Sequence, residues 1–283
     1  MTDVGFTALA AAAGRAVETS RPDRLAVDPF AADFVAAAHP PVPLPTRWPD
    51  EGAELTQQEV LLLLGANYVG LRTRFFDDRL VGARQVVLLG AGLDTRAFRL
   101  AWPDGAVVFE LDQPAVLEFK ASVLTAPPRC TRVPVGVDLA RDWAAALLAA
   151  GFDRSAPTAW LAEGLLQYLS PAAENALVTA VDALSAPGSA LAVERALDLG
   201  DPARLREGAE RAGVRVDRLV RSGPRDDLAA WLRDRGWHAR DVPLDEVAAH
   251  YDRPLLHPRL VGDLPPGARQ PTPAGFTTAT KDA

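Results

Sequence analysis

The sequence predicts an α/β protein built on a doubly wound, mostly parallel sheet. Three observations predict it. Apolar, strand-like runs alternate with helical stretches between residues 85 and 195. The first run, Val86-Val87-Leu88-Leu89, is wholly apolar and breaks at Gly90-Ala91-Gly92. Later runs end on or just before an acid, at Asp112, Asp138 and Glu163. A strand that is apolar on both faces suits the middle of a parallel sheet, with helices above and below it.

The elements follow in order. Residues 8–17 have a helical pattern. Asp28-Pro29-Phe30 opens a second helix, with proline at a favoured first-turn position. Five prolines between residues 39 and 50 make that stretch an extended loop. Residues 55–80 read as a long helix. Strands are expected at 85–90, 106–112, 131–137, 158–162 and 188–195, with helices at 114–124, 142–150 and 171–184 between them. Residues 198–235 are polar, arginine-rich and helical, and read as an insertion or cover. Strand-like pieces follow around 238–242 and 276–280. The expected organisation is a single domain. It has a helical N-terminal region (1–80), a ligand-binding core (81–195), an insertion or lid (196–235) and C-terminal strands that complete the sheet (236–283).

Composition excludes several classes. The chain has 283 residues, 48% of them hydrophobic and 24% charged, which is enough apolar material for one large core. The net charge of −7 argues against a dedicated binder of nucleic acid or anionic membrane. Cys130 is the sole cysteine, so neither an intrachain disulfide nor a cysteine zinc site is expected. His39, His238, His250 and His257 lack metal-ligand spacing, and no metal is expected. No run approaches the ~18 apolar residues of a membrane span, and no signal segment is evident. The expectation is a soluble, cytoplasmic protein.

Four segments carry chemistry. Gly90-Ala91-Gly92 lets backbone approach a ligand closely, although a tight strand–helix turn is the plainer reading. A dinucleotide fingerprint needs a third glycine, and that position is Thr95. A ligand with a ribose but no phosphate fits better. Asp112 lies 22 positions after Gly90, where a carboxylate can accept two hydrogen bonds from a ribose diol. Glu110 shares that strand end, and either acid could simply be solvated. Asp138 and Leu139 can meet a base, or Asp138 can cap a helix. Glu163-Gly164 closes the fourth strand where the active crevice is expected, before an apolar stretch at 165–169.

Further segments accompany these: Thr7-Ala8-Leu9, Arg15-Ala16, Asp28-Pro29-Phe30 and Arg72-Thr73-Arg74-Phe75-Phe76-Asp77. Gly90-Ala91-Gly92-Leu93-Asp94-Thr95-Arg96, Glu110-Leu111-Asp112-Gln113-Pro114, Lys120 and Asp138-Leu139 follow. Pro157-Thr158-Ala159-Trp160, Glu163-Gly164-Leu165-Leu166-Gln167-Tyr168-Leu169, Pro187-Gly188-Ser189 and Glu194 complete the set. In this order they resemble the leucine carboxyl methyltransferase superfamily. The closer resemblance is to its bacterial branch of polyketide and mycobacterial O-methyltransferases, and it spans about residues 5–250.

The resemblance implies a class I methyltransferase, Rossmann-like fold. It has a mostly parallel seven-stranded sheet, a helical N-terminal region and a helical cover after the fifth strand. It implies S-adenosyl-L-methionine as methyl donor and residues 81–195 as its binding core. Gly90, with Ala91, Gly92 and Asp94 of the same loop, would lie against the methionine part. Asp112, with Gln113, would hold the ribose, and Asp138 and Leu139 the adenine. Arg72 would pair with the donor's carboxylate. Glu163 would lie near its amine or the acceptor mouth, and Arg15 would close over it. The N-terminal region and the segment after residue 195 do not match the eukaryotic phosphatase-methylating members, which argues against a protein C-terminus as acceptor.

The expected partner is a small-molecule acceptor, without nucleic acid or membrane, and the sequence fixes no oligomeric state. An ionised carboxylate acceptor needs no general base, whereas a phenol benefits from one. No histidine base is evident, so a carboxylate of a small hydrophobic metabolite is favoured, in bacterial specialised metabolism. No residue is assigned a catalytic proton transfer; Glu163 and Tyr168 are the candidates for positioning the acceptor. Phenol or hydroxyl O-methylation, an NAD(P)-dependent oxidoreductase and a non-catalytic cofactor-binding module remain as alternatives.

Overall fold

The structure is a computed structural model that describes residues 3–40, 42–195, 225–261 and 275–282. Seven strands form one sheet in the order β3-β2-β1-β4-β5-β7-β6. They are β1 (Gln85–Leu89), β2 (Val107–Asp112), β3 (Thr131–Gly136), β4 (Ala159–Ala162), β5 (Ala190–Glu194), β6 (Trp237–Pro243) and β7 (Gly275–Lys281). The first five run parallel, and β7 runs antiparallel to both β5 and β6. This is the expected doubly wound sheet, and it reverses its winding between β1 and β4.

Strand β1 is central and buried at all five positions, which explains its apolar run. Its alternate side chains feed two cores. Val86 and Leu88 join Phe34, Phe75, Phe76 and Phe276 on one face. Val87 and Leu89 join Phe109, Trp143, Trp160 and Leu177 on the other. The edge strand β3 carries Pro134 within it. Proline is tolerated there because an edge strand leaves backbone groups unpaired.

The N-terminal region supplies helices α1 (Asp3–Ser20), α2 (Ala31–Ala38) and α3 (Gln57–Leu80). A capping box of Thr56 and Glu59 starts α3. Its far end docks on the sheet through Phe75, stacked 4.4 Å from Phe276. Buried polar groups fix α1 in place. Arg21 donates to Asn67 at 3.0 Å, and Arg253 donates to Glu18 at 3.1 Å. Asn67 in turn donates to the carbonyls of Pro254 and Leu255. Burying these charges is tolerable only because they are paired. These bonds hold α1 over the carboxyl end of the sheet.

The other helices include α4 (Arg96–Arg99), α5 (Pro114–Val123), α6 (Trp143–Ala149) and α7 (Pro171–Leu184). A 3₁₀ turn at Leu166–Tyr168 separates β4 from α7. Residues 196–224 of the expected cover lie outside the described residues. Its described end forms the helix Leu228–Arg233, which buries Leu228, Ala229 and Leu232 in the sheet core. Two further helices, Leu244–His250 and Pro258–Val261, stand between β6 and β7 where only strand-like pieces were expected. Among the described residues, no helix is long and apolar enough to cross a membrane, and no group of His, Cys, Asp and Glu could hold a metal.

Candidate active site

A cavity of about 350 Å³ opens at the carboxyl ends of β1, β2 and β4. That is where ligands bind in open α/β sheets, beside the reversal of strand order. Every residue that the resemblance assigns to the donor, and Tyr168, lies on its lining, whereas Glu110 does not. They divide into two walls of different character.

The first wall is built from turns. Gly90 (φ 67°) and Gly92 (φ 46°) adopt left-handed backbone that other residues rarely take. The Ala91 N–H donates to the Leu111 carbonyl at 2.9 Å, tying the glycine loop to β2. At the end of β2, the Asp112 carboxylate accepts from the Gly92 N–H at 2.6 Å and the Gln113 N–H at 2.7 Å. A carboxylate offers about four acceptor sites, so these two bonds orient Asp112 and leave capacity for a ligand. Burial raises the Asp112 carboxyl above its ordinary value, against the opposing pull of the two N–H groups. Asp138 accepts from the Ala140 N–H at 3.0 Å and remains largely exposed beside buried Leu139. The residue that caps α6 is Asp142, not Asp138. Glu110 faces away from the cavity, where it is fully buried with Lys120 at 2.9 Å and Arg132 at 2.7 Å.

The second wall is a chain of buried ion pairs. Arg72, from α3, lies between two carboxylates. Its Nε is 2.9 Å from Glu163, and its Nη1 donates to Glu194 at 3.0 Å. The other Glu163 oxygen accepts from Arg96 at 2.7 Å. Arg96 also pairs with Asp94 and, at 2.7 Å, with Asp77. Asp77 is shared with Arg99 at 2.6 Å. Burial works against the charge on Arg72, but Glu194 and Glu163 outweigh it and hold its proton more tightly than usual. Burial likewise pushes Asp94 up, yet Arg96, Lys120 and Arg99 overcome it and set its carboxyl at about 2. Arg72 and Asp94 therefore stay ionised at neutral pH.

Helix α1 closes the cavity with Thr7, Ala8, Ala11 and Arg15. The Arg15 guanidinium is committed to Asp28 and to the Leu93 carbonyl, both at 2.7 Å. It braces the glycine loop from above. Leu165, Tyr168 and Leu169 line the mouth opposite.

The profile of the family described as leucine carboxyl methyltransferase matches residues 8–182. The chain belongs to this family. It is a methyltransferase that uses S-adenosyl-L-methionine. Its relatives include a "Putative S-adenosyl-L-methionine-dependent methyltransferase" of Streptomyces coelicolor. That protein is 49% identical over 269 residues, covering 89% of this chain and 88% of the relative. A protein of the same name from Mycobacteroides abscessus is 42% identical over 304 residues, covering 100% and 95%. Among solved structures, a "putative methyltransferase" from Thermobifida fusca shares the fold with a TM-score of 0.51 at 19% identity, covering 95% of this chain and 94% of that one.

In this methyltransferase, the match spans both walls of the cavity up to Glu163. Arg96, Asp77, Glu194 and Tyr68 have no role assigned by the sequence alone. Arg96 and Asp77 belong to the sequence segments that carry the family resemblance, but nothing in the sequence pairs them. Glu194 closes β5, and the acid-at-strand-end pattern that marks Asp112 and Glu163 also marks it. Tyr68 donates to Glu194 at 2.5 Å, across 126 positions of sequence, and no local signal announces it.

Proposed function

We propose that this methyltransferase binds S-adenosyl-L-methionine across the two walls and methylates a carboxylate oxygen of a small hydrophobic metabolite. The residues present fit that donor. Arg72 and Glu163 set a cation beside an anion, as a zwitterionic amino-acid group requires. Asp112 keeps free acceptor capacity for a ribose diol, and the glycine loop keeps side chains out of the space between them. Asp138 and Leu139 would hold the base. The volume of about 350 Å³ lies within the usual range for small-molecule sites.

When bound, S-adenosyl-L-methionine supplies a methyl group already activated by its sulfonium. The protein's task is then placement and exclusion of water. Arg72, Glu163 and Asp112 fix the donor at both ends. Leu165, Tyr168 and Leu169 offer an apolar mouth that strips water from the acceptor and aligns its oxygen.

One observation carries the choice of a carboxylate. Among the described lining residues there is no histidine, lysine or cysteine, and Asp94 and Glu163 are bound by arginine. Asp112 and Asp138 are taken up by the donor in this reading, so no described lining residue is left to remove a phenolic proton. A carboxylic acid, with an ordinary pKa of about 4, arrives ionised and needs no such group. The resemblance to polyketide-type O-methyltransferases supports an acceptor from specialised metabolism. Thr95 is buried and absent from the lining, which favours this reading over a dinucleotide-dependent oxidoreductase.

Matched pairs of hydrophobic carboxylic acids and phenols on one skeleton test the choice. The acids are expected to gain one methyl group as esters that mild alkali cleaves, at a rate flat between about pH 6 and 8. Methylation confined to the phenols, with a rate that climbs with pH, would overturn it.

A further inference from the structure

The ion-pair wall contains one carboxylate that stays off the cavity lining yet touches a residue on it. Glu194 ends β5 and is 2% exposed. Its two oxygens accept from three sources. Oε2 takes the Gly164 N–H at 2.6 Å and Arg72 Nη1 at 3.0 Å, while Oε1 takes the Tyr68 hydroxyl at 2.5 Å and Arg72 Nη1 at 3.2 Å. Gly164 and Tyr68 are therefore fixed anchors, one on the strand-end turn and one on α3. Gly164 has φ 64°, and a Cβ there would lie 3.6 Å from Arg72 Nη1 and 3.8 Å from Glu194 Oε2. The turn brings backbone directly up to the ion pair.

The geometry explains a need for a second carboxylate. Glu163 also reaches Arg72, through Nε, but that nitrogen makes no aligned hydrogen bond. Glu163 is itself drawn to Arg96. Without a second carboxylate, Arg72 would be held by Glu163 alone, through Nε, with its Nη1 end unanchored. Glu194 binds the guanidinium at Nη1, with its own geometry set by the Gly164 N–H and the Tyr68 hydroxyl.

We propose that Glu194 is a positioning residue, with Tyr68 as its partner, that holds Arg72 in the orientation needed for the carboxylate of the methyl donor. The proposal rests on the reading that Arg72 takes that carboxylate. Glu194 touches no ligand in this account and acts through Arg72 alone.

The test compares two ligands by calorimetric titration: S-adenosyl-L-methionine and its decarboxylated form, which lacks the group Arg72 would hold. Glu194→Gln keeps the volume and an acceptor for the Gly164 N–H but removes the charge. The expected result is about tenfold or greater weakening for S-adenosyl-L-methionine, with less than about threefold change for the decarboxylated ligand. Glu194→Asp should restore part of the loss. Tyr68→Phe removes one anchor while leaving the carboxylate, so it decides the matter if Glu194→Gln does not fold. It should weaken only S-adenosyl-L-methionine, by about two- to fivefold. Equal weakening of both ligands, or of neither, overturns the coupling while leaving the donor site intact. Failure of the unaltered protein to bind either ligand overturns the donor site itself, and Glu194's role with it.

Discussion

The two walls of the cavity hold carboxylates by different physics. Asp112 is oriented by two backbone N–H groups and retains acceptor capacity. Glu163 is held between the guanidinium groups of Arg72 and Arg96. The first arrangement costs little to build and depends on turn geometry. The second buries several charges and survives only because each is paired, so loss of one partner strands another in a low-dielectric site. The turn wall should therefore tolerate substitution structurally while losing ligand, and the ion-pair wall should lose both.

Arg72→Ala gives the sharpest form of that contrast. It leaves Glu163 and Glu194 buried without their shared cation. We expect a stability loss of about 3–5 kcal/mol, read by denaturant titration, and donor binding below detection. A variant of unchanged stability would show that the ion pairs are not structural and would erase the distinction between the walls. Asp112→Ala should behave differently. Binding of S-adenosyl-L-methionine should weaken by about 1.5–3 kcal/mol, roughly ten- to a hundredfold, as expected for charge-assisted hydrogen bonds. Its melting temperature should fall by only a few degrees. Equal losses in both variants would break the comparison.

Acidification sharpens it further, because the two walls titrate in opposite directions. Asp94 sits at about 2 against an ordinary 3.8, so it contributes stability at neutral pH. That contribution, about 2 kcal/mol by linkage, is lost as pH falls from about 4 through 2. Asp112 is raised by burial, so its protonated form is favoured in the fold. Its effect on stability is fully present below the ordinary value and is lost as pH rises through the raised one. Donor affinity needs the ionised form and should fall on acidification before the arginine wall releases. Titrations at several pH values should show this loss in the unaltered protein and not in Asp112→Asn. Parallel pH curves for the two would refute the assignment of Asp112.

The smaller effects lie at the rim. Asp138→Ala removes an exposed side chain and should weaken donor binding by about two- to fivefold, since one solvated hydrogen bond contributes about 0.5–1 kcal/mol. Tyr168→Ala should raise the acceptor's KM severalfold with donor affinity unchanged. An unchanged KM would remove Tyr168 from the acceptor mouth.

How much of this was legible in the sequence follows from how local each signal is. The apolar run 86–89, the glycine turn and the acids at strand ends are local, and they located β1, β2, β4 and the turn wall. Pro114 and Pro171 at first helical turns marked α5 and α7 in the same way. The helix Leu228–Arg233 does not stand out from the polar cover in sequence, because its three buried residues are flanked by Asp and Arg. The ion-pair wall was only half visible. Arg72 and Glu163 were singled out, but their joint orientation depends on Glu194 and Tyr68, which meet only because β5 lies beside β4 and α3 packs across them. Such long-range pairing leaves no periodicity or motif behind. Glu110 shows the reverse error, since an acid at a strand end looked like a ligand group and proved to be the buried partner of Lys120.

A crystal structure of the protein with S-adenosyl-L-methionine decides whether the two walls hold the donor as assigned. The ribose should lie at Asp112 and the amino-acid end between Arg72 and Glu163, with Arg72 still bonded to Glu194. A donor bound in the opposite direction, or outside this cavity, would contradict it.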